Sequence, residues 1–415
     1  MFIGIFIANG SDAMATATAT ATANQSGKDA VPSVRPTSID GSNASYRAAS
    51  AGFRYRVAVA GATGYAGGEM LRILAEHPNF EVTAVTGHSS IGDKLGEHMP
   101  HIPQLSGLDI LDTTPQALNG HDIIILALPH GASGALAEQL DSNAIVVDLG
   151  ADHRLEECSA WNDFYGGKFF RAWTYGMPEL VTGKLSHGIY RKQRENLMGA
   201  RRIAGPGCNV TATTFAMQPA IANGLVDTHS IVADLAVGYS GAGKNMKRTN
   251  LLAAEAFGSA QAYSVGGVHR HIPEILQNFA HAAGLSASRA DAFSLGFTPI
   301  LVPMSRGILA CVSAPMSDMA VALSDDEIRQ AWIDVYRDEQ FVAVLEPGVM
   351  PATANVVGSN AAHIQVAVDR RANRILAITA IDNLNRGTAG QAVQSLNIAL
   401  GLPEDAGLTK IGVAP

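Results

Sequence analysis

Charge is scarce in this 415-residue chain: 16% of its residues are Asp, Glu, Lys or Arg, and 37 acidic against 29 basic side chains leave a net charge of −8. Polynucleotides are held chiefly by many Lys and Arg side chains on phosphates, so this balance excludes a large electropositive face for nucleic acid. Long apolar runs are missing too. The longest are short stretches such as 123–128 (IIILAL), far below the roughly 18 residues of a membrane helix, and no membrane partner is expected. Cysteine is rare: Cys158, Cys208 and Cys311 lie far apart, which excludes a disulfide framework and points to a reducing, cytoplasmic compartment where a thiol stays free for chemistry. No internal repeat or heptad run occurs.

What is present is globular. Hydrophobic residues make up 47% of the chain and 42 residues are glycine, and at about 150 residues per domain the length suggests two to three domains. Residues 1–53 stand apart, with a short apolar start, an alternating Ala/Thr tract over 14–23 and then Ser, Pro and Asn, and read as a disordered extension. A signal peptide is the competing reading, but no Lys or Arg precedes an apolar stretch of about seven residues. Met14 is an alternative start.

Folded sequence begins near Tyr55. YRVAVA (55–60), EVTAVT (81–86), IIILAL (123–128) and AIVVDLG (144–150) are continuous apolar, β-branched runs, as parallel strands covered on both faces require. Helical stretches at 69–76 and 132–140 intervene, so residues 54–207 read as a doubly wound α/β (Rossmann) domain. After Cys208 longer strands are expected at 230–239, 293–302, 306–314, 363–368 and 374–381, with helices near 248–257 and 324–337. That makes 208–382 a second domain of α+β type, for catalysis and oligomerisation. The amphipathic segment 387–400 is expected to return to the first domain, adding 383–415 to it.

The glycine turn Gly61-Ala-Thr63-Gly64-Tyr65-Ala66-Gly67 follows a strand and opens a helix, which suits a pyrophosphate at the positive end of that helix. The spacing is GxxGxxG instead of GxGxxG, and ordinary strand–helix packing also uses such turns. The second strand ends Thr86-Gly87-His88-Ser89-Ser90, with no carboxylate for a ribose 2′-OH; Glu81 starts that strand, at the wrong end of the sheet. Small hydroxyls beside a histidine favour NADP over NAD, although no arginine accompanies them. Ala127-Leu-Pro-His130-Gly lies at the carboxyl edge of the sheet, where ligands bind or a simple turn suffices.

In Gly205-Pro-Gly-Cys208-Asn209 the cysteine precedes a helix running to about Ala222. The positive helix end stabilises thiolate, so Cys208 is a nucleophile candidate with a lowered pKa; a small buried apolar side chain is the rival reading. Cys158 and Cys311 lack that setting. His269-Arg270-His271-Ile-Pro-Glu274 concentrates two imidazoles, a guanidinium and a carboxylate. If extended, it turns both histidines one way and Arg270 the other. Ordinary surface histidines explain it equally well. No further Cys/His pair has zinc spacing, so no metal is expected. Val237-Gly-Tyr-Ser240-Gly241-Ala242-Gly243-Lys244 lacks the Ser or Thr that a P-loop has after its lysine, and reads as a backbone loop near a nucleotide or as a hinge.

GATGYAGGE, ALPHG, GADHRL, the PGC segment, GYSGAGK, HRHIPEI, GSNAAH and DNLNRGTAGQAVQSLN occur in the order seen in the N-acetyl-γ-glutamyl-phosphate reductases, and residues 55–415 resemble the actinobacterial branch of that family. The resemblance implies the wider fold of aspartate-semialdehyde and glyceraldehyde-3-phosphate dehydrogenases. It also implies NADPH-dependent reduction of N-acetyl-L-glutamyl 5-phosphate to the 5-semialdehyde and phosphate, a step of arginine synthesis. Cys208 would be the thioester-forming nucleophile and His271 the acid/base, with His269 as fallback. Gly61, Thr63, Gly64, Tyr65 and Ala66 would hold the cofactor phosphates, with Ser89 and Ser90, Ser240, Gly241 and Ala242, and Asn383 also on the cofactor. Arg154 and Arg270 are candidates for the anionic acyl phosphate, though ion pairing explains either as well. The family implies a homo-oligomer, dimer or tetramer. Asn209 departs from the aromatic residue usual after the cysteine and matches the branch that reduces carrier-protein-linked aminoadipyl or glutamyl phosphates. A net charge of −8 does not favour docking an acidic carrier. A Rossmann acyltransferase or a non-catalytic NADP sensor is the reading outside this reaction class.

Overall fold

The computed structural model describes residues 54–244 and 253–414. The expected extension over 1–53 and the helix start over 248–252 lie outside the described residues. The apolar runs become parallel strands: β1 (Tyr55–Ala60), β2 (Phe80–Gly87), β3 (Ile110–Asp112), β4 (Ile123–Leu126), β5 (Ile145–Asp148), β6 (Thr174–Tyr175) and β9 (Arg202–Ala204). They form one seven-stranded sheet of order β3-β2-β1-β4-β5-β9-β6, every adjacent pair parallel. Val57 to Ala60 and Ile123 to Leu126 have no exposed surface, which is why these strands read as unbroken hydrophobic runs. Strand order reverses at β1, so the crevice beyond the carboxyl ends of β1 and β4 is where an open α/β sheet accepts a ligand. A small hairpin, β7 (Val181–Ser186) and β8 (Ile189–Lys192), forms a separate two-stranded sheet.

Five helices of the described chain reach ten residues: α1 (Tyr65–Glu76), α2 (Cys208–Ala222), α3 (Ile272–Ala282), α4 (Asp325–Tyr336) and α5 (Gly390–Ala399). Helix α1 buries Met70, Leu71, Ile73 and Leu74 and stops before Pro78, whose ring disfavours helical geometry at His77. Ser324 caps α4 in a capping box with Glu327.

The second sheet has order β11-β12-β10-β13-β16-β15-β14 and is mixed. Its strands are β10 (Ile231–Gly238), β11 (Gln261–Ala262), β12 (Leu295–Val302), β13 (Ile308–Pro315), β14 (Val342–Val344), β15 (Ala362–Asp369) and β16 (Arg374–Ile381). The five long strands expected from the sequence lie within two residues of their positions. Each presents one face to a core that α2, α3 and α4 complete. Helix α2 is enclosed on all sides, so its buried polar side chains need partners: Thr211 donates to Gln391 (2.9 Å) and Gln218 to the Tyr336 hydroxyl (2.9 Å). Helix α5 returns as expected, packing Ala392, Val393 and Leu396 with Val57, Val59 and Ile203 of the first sheet. Its lead-in is a wide π-turn over Asn385–Ala389 instead of regular helix. There, fully buried Arg386 pairs with Glu179 at 2.6 Å and lies over the Phe215 ring.

Candidate active site

Gly61 leaves β1 with φ +77, and a Cβ there would fall 2.2 Å from the Ala127 carbonyl oxygen beyond β4. A Cβ on Gly67 would fall 2.3 Å from the Gly61 carbonyl oxygen. The two glycines therefore let turn, helix and the 127–131 segment touch through backbone alone. Gly64 is the helix N-cap and supplies no side chain to the first-turn N–H groups, which stay free for an anion. Thr63, Gly64 and Ala66 are half-buried along this turn and Tyr65 is exposed. At the end of β2, Ser89 is exposed and Ser90 buried, whereas Thr86 is spent on Thr113 at 2.8 Å. No carboxylate ends that strand.

Ser240, Gly241 and Ala242 form a single 3₁₀ turn after β10. Asn383 is 1% exposed, and its amide is committed at both ends. It donates to Ser240 Oγ at 2.9 Å and accepts from the Gly307 N–H at 2.8 Å. Its side chain thus holds the loop.

Cys208 is the first residue of α2, with Gly207 as N-cap. The imidazole of His271 lies over Gly207, since a Cβ there would fall 2.6 Å from His271 Nε2. Gly387 clears the other flank, where a Cβ would come 2.7 Å from Cys208 Cβ. His271 is itself the N-cap of α3, in helical geometry, so the 269–271 segment is a turn and not extended. The histidines still share a side: their rings are 4.8 Å apart and the His271 N–H donates to His269 Nδ1 at 3.1 Å.

The expectation of a lowered thiol pKa is corrected. Cys208 keeps some exposed surface, yet it lies so deep that desolvation pushes its thiol up to about 11, outweighing the pull of the Asn209 N–H and the Arg154 guanidinium. Burial, with His269, Arg154 and His130 nearby, holds His271 well below the usual imidazole range. The resting pair is a neutral thiol beside a neutral imidazole. Alkylation of the free enzyme at Cys208 by iodoacetamide is therefore expected to accelerate steadily from pH 7 through pH 10; a plateau below pH 7 overturns this.

Glu274, noted in the sequence only as part of a charged cluster, organises the site. Fully buried, it accepts from the Tyr175 hydroxyl (2.6 Å) and the Gly207 N–H (3.0 Å), and pairs with Arg154 at 3.4 Å. It thereby joins the start of the cysteine helix to the start of the histidine helix. Arg154 also donates from Nε to Gly205 O (2.7 Å) and from Nη2 to Leu149 O (2.8 Å). It is a buried strut of this network, with Nε, Nη1 and Nη2 all engaged within the protein. Arg270 differs: its side chain is exposed, rests 5.4 Å from the Tyr165 ring centre, and has no carboxylate partner among the described residues. Asn209 is buried, its amide 3.4 Å from the Tyr263 hydroxyl.

A parallel sheet with an open glycine turn at its switch point, joined to a thiol and an imidazole on two helix starts, defines a nicotinamide-dependent oxidoreductase of the semialdehyde dehydrogenase type. Residues 56–187 match the family model for the semialdehyde dehydrogenase NAD binding domain, and 208–383 that for its dimerisation domain. The fold is that of aspartate semialdehyde dehydrogenase II from Vibrio cholerae (TM-score 0.59, 15% identity, 83% of this chain and 98% of that one). The Candida albicans aspartate semialdehyde dehydrogenase crystallised with NADP is also similar (TM-score 0.57, 14% identity, 83% and 98%). Sequence likeness goes much further with N-acetyl-gamma-glutamyl-phosphate reductases: 73% identity to that of Bifidobacterium animalis subsp. lactis (87% of this chain, 100% of that protein) and 52% to that of Leifsonia xyli subsp. xyli (87% and 99%). The chain belongs to the N-acetyl-gamma-glutamyl-phosphate reductase family. No helix among the described residues is long and apolar enough to cross a membrane.

Proposed function

We propose that this protein reduces N-acetyl-L-glutamyl 5-phosphate to N-acetyl-L-glutamate 5-semialdehyde and phosphate, in arginine synthesis in the cytoplasm, with NADPH as reductant. The observation that carries the reading is the placement of Cys208 and His271 on two helix starts bound together by Glu274. The 61–67 turn fits a dinucleotide: its glycines clear the backbone approach and the start of α1 has no side-chain cap. Gly61, Thr63, Gly64, Tyr65 and Ala66 would hold the phosphates, Ser89 and Ser90 the 2′-phosphate, and Ser240, Gly241 and Ala242 the nicotinamide end. We assign residues 54–207 with 383–415 to cofactor binding, and 208–382 to catalysis and subunit contact.

The neutral imidazole of His271 accepts the Cys208 proton as the sulfur attacks the acyl carbon. The carbon–oxygen bond to phosphate then breaks, phosphate leaves, and a thioester remains. The bound nicotinamide supplies hydride. His271, now protonated, gives its proton to the oxyanion of the reduced thioester; as the carbonyl re-forms, His271 takes that proton back and passes it to the departing Cys208 sulfur, the carbon–sulfur bond breaks, and aldehyde and free thiol are released. Arg270 is the guanidinium free to meet the acyl phosphate's charge.

The experiment follows NADPH consumption with N-acetylglutamyl phosphate, and the reverse reaction of semialdehyde plus phosphate. Turnover on the free substrate with clear preference for NADPH over NADH is expected. Turnover only with a carrier-linked substrate, or none at all, sinks the reading.

The outer face of the second sheet is the surface we propose for self-association. Val232, 37% exposed on the inner strand β10, pairs with Gly296 and Ser313, and the next pair along that face holds half-buried Thr298 and exposed Cys311. Because that site is open, Val232→Asp is expected to leave the fold intact and shift the protein from oligomer to monomer in analytical ultracentrifugation. An unchanged sedimentation coefficient overturns the assignment.

A further inference from the structure

Four buried or half-buried charged groups form a clasp away from the thiol. Glu69 lies on the cofactor-side helix α1 and is 5% exposed. Its carboxylate accepts from Arg72 Nε and Nη2 (3.0 and 2.8 Å), Arg306 Nη1 (3.0 Å) and Asn385 Nδ2 (3.1 Å). Arg306 belongs to the connection between β12 and β13, and its Nε and Nη2 also donate to fully buried Asp382 at 3.1 and 3.0 Å. Asp382 accepts in addition from the N–H groups of Gly358 (2.7 Å), Leu384 (2.9 Å) and Asn385 (3.1 Å). Burial by itself would raise the Glu69 carboxyl, but the hydrogen bonds and charges of Arg72 and Arg306 outweigh it and hold it at about 2.

The clasp reaches the 240–242 loop and the flank of the thiol. The carbonyls of Met304 and Ser305, beside Arg306, accept from the N–H groups of Tyr239 and Ser240 at 3.0 and 3.1 Å. The Gly307 N–H is held by Asn383, which also holds Ser240. Gly238 is tucked against the Arg306 backbone, where a Cβ would fall 3.0 Å away. On the other side, the Asp382 carbonyl accepts from the N–H of Gly387, the glycine packed on Cys208. One guanidinium therefore links the phosphate-side helix, the 240–242 loop and the flank of the thiol.

We infer that Arg306 is a positioning residue for hydride transfer: bridging Glu69 and Asp382, it fixes the 240–242 loop and Cys208 relative to the phosphate turn, and so sets the distance between the hydride donor and the acylated sulfur. This rests on the proposed reductase reading. The planar fork of arginine reaches both carboxylates in fixed directions, which the single ammonium of lysine cannot do. Displacement by about 1 Å at a reacting centre costs roughly a hundredfold in rate. Attack of the thiol on the acyl phosphate needs no cofactor, so it should escape the loss.

The test compares Arg306→Lys and Glu69→Gln with the wild type in two half-reactions. One is the burst of phosphate released from N-acetylglutamyl phosphate without NADPH, and the other is NADPH oxidation. For Arg306→Lys, NADPH oxidation is expected to fall roughly a hundredfold, with the phosphate burst within about threefold of wild type and a larger primary deuterium isotope effect from 4-deuterated NADPH. Glu69→Gln keeps the shape and the Arg306–Asp382 pair, so it should show a smaller loss of the same selectivity, and it carries the test if Arg306→Lys does not fold. Equal loss of both half-reactions, or an unchanged isotope effect, overturns the inference. A wild type without phosphate burst or NADPH oxidation instead overturns the reductase reading.

Discussion

Cys208→Ala is expected to lower NADPH-dependent reduction of the acyl phosphate by a factor of at least roughly 10⁴, since removal of a nucleophile that forms a covalent intermediate leaves only binding and polarisation. The phosphate burst should disappear with it. The variant should still fold. Alanine suits the start of a helix, and α2 is held by Phe215, Thr211 and Gln218 well beyond that position. Retained binding of NADPH, read by quenching of protein fluorescence, together with a near-wild-type melting curve, would assign the loss to chemistry. Activity above one part in a hundred would refute Cys208 as nucleophile, and the thioester route with it. Cys158, exposed near the surface, and Cys311, exposed on the sheet face, should each tolerate the same substitution.

The second large effect is at His271. His271→Ala removes the group that takes the thiol proton and later returns it, and a loss of roughly 10²–10⁴ in kcat is expected. Its pH dependence gives the sign. With wild type, the imidazole is already neutral well below its usual range, so activity should not fall as pH drops from 8 to 6 through loss of the base. Without it, only thiolate formed by solvent can attack. With a thiol pushed up to about 11, the variant's acylation rate should climb about tenfold per pH unit across pH 7–10. A pH-independent variant would overturn the assignment.

Gly207→Ala offers a gentler version of the same experiment. Gly207 has φ −70 and ψ 143, open to any residue, so the added methyl strains no backbone. It lands 2.6 Å from His271 Nε2 and must push the ring aside. A fall of about 10–100-fold in kcat, with little change in melting temperature, is the result expected of a displaced base.

Some of this site could be read from the chain alone because it is written in contiguous residues. A helix start after Pro-Gly shows Cys208; two glycines after an apolar strand show the 61–67 turn. Other parts join residues 67 to 237 positions apart and carry no local pattern. Nothing in the neighbourhood of Glu274 says that it meets Tyr175 and the Gly207 N–H, and nothing around Arg306 says that it spans Glu69 and Asp382. The DNL segment likewise carries no sign that Asn383 is committed to Gly307 and Ser240.

The thiol marks the division most clearly. Sequence by itself determined the alternation of buried strands and helices, the glycine turn at the switch point and the cysteine at a helix start, because periodicity, turn chemistry and capping are properties of neighbouring residues. Tertiary structure alone decided how that cysteine ionises. A helix end, a local feature, argued for thiolate; desolvation by distant elements folded around it prevailed, since the cost of burying a charge depends on everything packed nearby and not on the chain to either side.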